Sequence, residues 1–153
     1  MTELSPENIN VSTWKIPSPL GIIGSHANGE FNGMTASWFT QVSMDPALIG
    51  VGIDNKSVTF TLMDQSEYFT LNMFSPEYTK VFVKFSKPAE YTDGFLNKEP
   101  IFLTENNVPV FENATVWFEL KTTQKIDFGT HTLFVGEIVD CKTLNLEERA
   151  AYM

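Results

Sequence analysis

Residues 32–60 read NGMTASWFTQVSMDPALIGVGIDNKSVTF, and from them two strands and a helix start can be placed. Asn32-Gly33 leads from a turn into small and hydroxylated residues, Thr35, Ala36 and Ser37, followed by Trp38. A strand is expected from about Met34 to Ser43, ended by Asp45-Pro46 because proline lacks the amide a ladder needs. Ala47–Asp54 is the next strand. Ala47, Ile49, Val51 and Ile53 share one face, and Leu48, Gly50 and Gly52 share the other. Two glycines on one strand face fit a close approach by a ligand ring, by a partner subunit, or simply a barrel corner. Asp54-Asn55-Lys56-Ser57-Val58-Thr59 then gathers amide, ammonium and hydroxyl groups at a helix start. That set suits a phosphate monoester, since helix N-termini attract anions, and it equally describes a capped helix with a solvated lysine.

Upstream, Leu20–Ser25 is a short strand, and Asn28-Gly29 supplies the positive φ angles of a tight hairpin turn. The first nineteen residues, polar and ending in Pro17 and Pro19, are expected to be an irregular lead-in to a single domain over 20–153. Downstream, a helix is expected over Ser57–Gln65 and a strand over Glu67–Met73. Ser75-Pro76-Glu77 is expected to open a helix burying Tyr78, Val81, Phe82 and Phe85 on one stripe. Ser86–Asn107 is expected to be a long excursion bordering a site. Thr115–Gln124 and Thr132–Cys141 are strands around a turn at Asp127–Gly129, and Leu146–Tyr152 is a helical tail. Hairpin-linked strands with a few short helices give a mainly β, α+β architecture: an antiparallel barrel.

The 153 residues carry a net charge of -9, and no basic stripe of the kind a nucleic-acid partner requires stands out in the sequence. Cys141 is the only cysteine, so neither an intrachain disulfide nor a cysteine-built metal site is expected. The longest apolar run, Ala47–Ile53, is too short to span a bilayer, and no signal segment is visible at the N-terminus. The expectation is a cytoplasmic protein with no membrane and no nucleic-acid partner.

The string from Asn32 to Phe60, with SEYFTLNMFS at 66–75 and GTHTLFVGEIVDC at 129–141, resembles the flavin reductase-like, FMN-binding split-barrel family in that order. The resemblance runs from about Pro19 to Cys141. It implies a six-stranded split β-barrel, a homodimer, FMN near the subunit interface and NAD(P)H as cosubstrate. By motif, Thr35, Ala36, Ser37 and Trp38 border the isoalloxazine and ribityl chain, and Asn55, Lys56, Ser57 and Thr59 hold the phosphate. Ser43 matches a motif serine, and Phe85 with Ser86 matches a stretch that closes over the cofactor in some relatives. Gly129-Thr130-His131 is similar to the family's Gly-Asp-His, with Thr130 where the acid stands, so an Asp–His pair requires Asp127 instead. His131 is accordingly expected to position flavin or nicotinamide. The implied activity is hydride transfer from NAD(P)H to flavin, with an acceptor protein or monooxygenase as a possible partner. An FMN-retaining electron-transfer flavoprotein and a non-catalytic flavin binder are the alternatives.

Overall fold

The computed structural model describes residues 4–144, 146 and 149–152. Its elements in chain order are α1 (Pro6–Thr13), β1 (Gly21–Ala27), β2 (Glu30–Ala36), β3 (Phe39–Met44), β4 (Ala47–Asp54), α2 (Val58–Asp64), β5 (Tyr68–Met73) and α3 (Lys80–Lys84). There follow β6 (Tyr91–Thr92), β7 (Phe95–Leu96), β8 (Glu99–Leu103), β9 (Pro109–Phe111), β10 (Val116–Asp127) and β11 (His131–Thr143). Seven strands form one antiparallel sheet in the order β2-β1-β5-β10-β11-β4-β3. A second, four-stranded sheet has the order β6-β7-β8-β9.

The connection between β2 and β3 forces the large sheet to roll. These strands lie at its opposite edges yet are joined only by Ser37 and Trp38. Laid flat, seven strands would hold their edges roughly 29 Å apart. Two linking residues can bridge only about 11 Å from Ala36 to Phe39. The sheet therefore curls until its edges meet at this corner. It does not close there: the Thr35 amide donates to the Phe85 carbonyl at 2.9 Å, outside the ladder. The result is a mainly β split barrel with a few short helices.

Inside the barrel, Ile23, Ile49, Val51, Ile53, Met63, Phe69, Leu71, Leu120 and Phe134 form one core. Outside it, Ile22, Phe74, Val81, Phe82, Phe85 and Phe111 form another beneath α3 and the small sheet. β1 serves both cores, Ile23 facing inward and Ile22 outward, so its residues are buried on both faces. Close packing at that strand needs Gly24, where a Cβ would come within 2.4 Å of the Pro109 carbonyl.

Several expectations are corrected. The lead-in is not irregular throughout: Ser5 caps α1, its hydroxyl accepting from the Asn8 amide at 3.2 Å, and Pro6 opens the first turn. The strand expected over 34–43 is two strands, because the chain leaves one sheet edge at Ala36 and rejoins the other at Phe39; seven strands result rather than six. The helix expected from Ser75 begins at Lys80. Ser75 accepts instead from the Glu77 amide in a local turn, and Tyr78 stacks on Phe74 with its hydroxyl on Glu99. The excursion after Ser86 folds into β6, β7 and β8. Of the expected tail helix, residues 147 and 148 lie outside the described residues. Of the rest, Ala151 donates to the Phe74 carbonyl and Tyr152 bridges Pro19, so this part is extended rather than helical. The Asn28-Gly29 turn, β4 and its two faces, and the long closing strand stand as expected.

Candidate functional site

The corner that rolls the sheet also presents an exposed aromatic side chain. Trp38, at the exit of the two-residue link, is 60% exposed. Its carbonyl accepts from the Gly52 amide at 2.8 Å, which fixes the backbone against β4. The indole lies over Gly52, where a Cβ would make ordinary contact at 3.5 Å, so the glycine face of β4 is covered by the chain's own side chains. Gly50 is covered likewise by Leu133 and Val42. Across β4, His131 stands opposite Asp54, and its ring meets that of Trp38 at 4.4 Å between centroids, tilted by 40°.

Trp38, but not His131, lines a cavity of about 750 Å³ between Ser37-Trp38 and the segment Thr13–Ser18. That size lies within the range of small-molecule and cofactor sites. Ser37 faces it half-buried. Sequence reading missed Trp14, Lys15 and Ser18 as lining residues. The only signal was a tryptophan in an otherwise polar lead-in, which does not say where the lead-in packs.

The expected phosphate residues adjoin this corner but are not equivalent. Asn55 fastens the β4–α2 turn to the β10–β11 hairpin. Its amide donates to Asp127 and to the Gly129 carbonyl, both at 3.1 Å, and its oxygen accepts from the Thr132 hydroxyl at 2.6 Å. Ser57 caps α2, accepting from the Phe60 amide at 3.0 Å while donating to the Asp54 carbonyl at 2.8 Å. Thr59 is fully buried and accepts from Asn32 at 3.0 Å. Lys56 is exposed, with no partner for its ammonium among the described residues.

Thr35 and Phe85 lie together, joined by the bond that splits the barrel, and the Thr35 hydroxyl donates to the Phe82 carbonyl at 2.7 Å. Phe85 is wholly buried, edge-on to Phe111 at 5.0 Å, whereas Ser86 is exposed and turns back to the Val83 carbonyl. Ala36 faces the barrel core. Ser43 pairs with Leu48, four residues from Gly52 and so about 13 Å from the aromatic corner. Asp127 does not pair with His131. Its carboxylate takes the Gly129 amide at 2.8 Å and Asn55, and these bonds hold its pKa below the usual aspartate value. His131 Nδ1 shares a hydrogen bond with the Thr130 hydroxyl at 2.9 Å.

No three His, Cys, Asp or Glu residues stand together as a metal site among the described residues. No helix among them is long and apolar enough to cross a membrane.

Comparison with known proteins gives this corner a context. Residues 13–153 match the flavin reductase like domain. The chain is 31% identical over 125 residues to the stachydrine N-demethylase reductase subunit of Rhizobium meliloti, covering 82% of this chain and 53% of that one. It is 31% identical over 145 residues to a ferric-chelate reductase (NAD(P)H) of Archaeoglobus fulgidus, covering 91% and 83%. Among solved structures, an FMN-binding protein of Thermus thermophilus superposes with a TM-score of 0.77 at 26% identity, over 91% of this chain and 82% of that one. The chain thus spans about half the length of the Rhizobium subunit. With the match running from the first turn of the cavity wall to the last residue, the chain belongs to the flavin reductase-like family.

Proposed function

We propose that this chain binds FMN at the Ser37–Trp38 corner and catalyses hydride transfer from NAD(P)H to it. The exposed Trp38 ring on the cavity wall, with His131 packed against it, carries this reading: an aromatic face beside the Ser37 hydroxyl suits a planar ring system. The donor set fits the cofactor. Ser37 has a hydroxyl toward the cavity, and Lys56 supplies a cation at the α2 turn. We assign Asn55, Thr59, Thr35 and Phe85 to positioning, because their polar or apolar groups are occupied within the protein.

Bound flavin supplies the two-electron chemistry, so no catalytic acid–base pair is required of the chain. His131 is held by Thr130 on one ring nitrogen, leaving the other to donate where negative charge develops. Asn55 keeps the hairpin that carries His131 fixed against β4. Trp38 excludes water from one side of the pocket.

We further propose a cytoplasmic homodimer. Helix α1 has no buried residue, and Val11, Trp14 and Ile16 are exposed, an apolar surface that a second copy would cover. The name of the Rhizobium relative, a reductase subunit, supports an acceptor protein that receives the reduced flavin or its electrons. The test is anaerobic addition of NADH or NADPH to the FMN-loaded protein, followed by absorbance. Bleaching of the oxidised flavin band is expected. Flavin that stays oxidised with both donors overturns the reductase reading and leaves a carrier or a binder.

A further inference from the structure

A second cavity lies on the opposite side of the Thr35–Phe85 bond, and its charge is at odds with the rest of the molecule. It holds about 1000 Å³ between α3 and the β6–β7 hairpin. Lys80, Lys84, Lys87 and Lys98 line it, four of the ten basic residues of a chain whose net charge is -9. Lys84 is bound to buried Glu99 at 3.1 Å. Lys80, Lys87 and Lys98 are exposed and have no carboxylate partner among the described residues. Only one carboxylate, Glu90, lines the groove. Phe95 is half-exposed along it and offers a ring face.

The groove is built rather than incidental. The Asn97 amide donates to the Lys84 carbonyl at 2.9 Å, and its oxygen accepts from the Glu90 amide at 2.9 Å. One side chain thus fastens the hairpin to the end of α3 and sets the width of the cleft. Asn97 and Lys98 both hold positive φ angles, of 44° and 68°, where non-glycine residues are uncommon. These two residues form the β7–β8 turn, while the β6–β7 hairpin itself turns at Asp93-Gly94, a pair that favours positive φ.

We infer that this groove receives the phosphates of the dinucleotide donor, with the three unpaired lysines selecting NADPH over NADH through the extra phosphate. Concavity and an exposed ring favour a nucleotide, whereas an acidic protein surface would meet a flatter patch. Position supports it as well. Lys87 is two residues beyond Phe85, whose carbonyl holds Thr35, and Trp38 is three residues beyond Thr35. The backbone path from groove to aromatic corner is at most about 24 Å. A dinucleotide with its nicotinamide at the corner can direct its phosphates this way. The inference rests on the reductase reading for the identity of the ligand, and its test includes a measurement independent of turnover.

The experiment compares the full chain with Lys87→Glu, Lys98→Glu and the double variant, each first checked for an unchanged thermal melt. Calorimetric titration with 2′,5′-ADP reads the groove without any redox step. Steady-state flavin reduction with NADPH and NADH reads its use. Each charge reversal is expected to weaken 2′,5′-ADP binding and raise the NADPH KM by about tenfold, with a smaller change for NADH and the effect falling on KM rather than kcat. Equal 2′,5′-ADP affinity in wild type and double variant overturns the proposal. So does an NADPH KM that is unchanged in the double variant. A protein that binds 2′,5′-ADP through these lysines but reduces no flavin would instead refute the reductase reading and keep the anion groove.

Discussion

Trp38 and His131 are separated by more than ninety residues in sequence, yet their ring centroids lie 4.4 Å apart. Neither contributes to a core. Both are held by backbone bonds at strand ends, so their positions survive side-chain changes. Trp38→Ala is accordingly expected to leave the melting temperature nearly unchanged while weakening FMN binding about fivefold to tenfold, the scale of one lost aromatic contact. A flavin titration of both proteins checks it. Asp127 gives a pH prediction of opposite character. Hydrogen bonds from Gly129 and Asn55 depress its folded pKa below the usual 3.8, so the folded chain takes up this proton less readily than the unfolded one. Its contribution to stability is therefore full above about pH 4 and lost as pH falls through the lower folded value. Urea melts of wild type and Asp127→Asn should differ most at neutral pH and converge below pH 4; a constant gap across that range would contradict the assignment.

Among the elements, the small sheet is joined to the barrel through Asn72. This wholly buried side chain donates to the Ile22 carbonyl and to the Thr70 hydroxyl, each at 3.1 Å, and accepts from the Phe111 amide at 3.1 Å. Asn72→Leu would keep the volume but strand two backbone groups, and a loss of about 2–4 kcal/mol is expected in denaturant unfolding. A loss below about 1 kcal/mol would mean those groups find other partners. Elements whose signal is local were legible in the sequence. β4 follows from its alternation and the Asp45-Pro46 break, and the first hairpin from Asn28-Gly29. Elements set by distant contacts were not. The strand expected over 34–43 breaks because the two sheet edges must meet. The helix expected at Ser75 starts late because Tyr78 is taken by Phe74 and Glu99. The candidate site divides in the same way. Its location at the Thr35–Trp38 and Asn55–Thr59 strings was readable as residue chemistry and resemblance. That Asn55 and Thr59 turn into the protein was not, because their partners, Thr132, Gly129 and Asn32, are remote in sequence.

For the molecule as a whole, two surfaces stand out. One is the corner with its cavity and α1, whose apolar residues are exposed; the other is the lysine groove beyond the Thr35–Phe85 bond. If a second copy covers α1, Val11→Glu with Trp14→Glu should convert a dimer to monomers in sedimentation at micromolar concentration. Unchanged sedimentation would remove α1 from the interface. The proposed flavin reduction depends on the cavity between Ser37-Trp38 and Thr13–Ser18 accepting a flavin. Calorimetric titration of wild type and Ser37→Glu with FMN tests that most directly, since the substitution extends a longer side chain into the cavity and places an anion where the ligand would lie. The account predicts saturable uptake of one FMN per chain, weakened by at least about tenfold in the variant at an unchanged melting temperature. No saturable uptake by wild type, or equal affinity in both proteins, would contradict it.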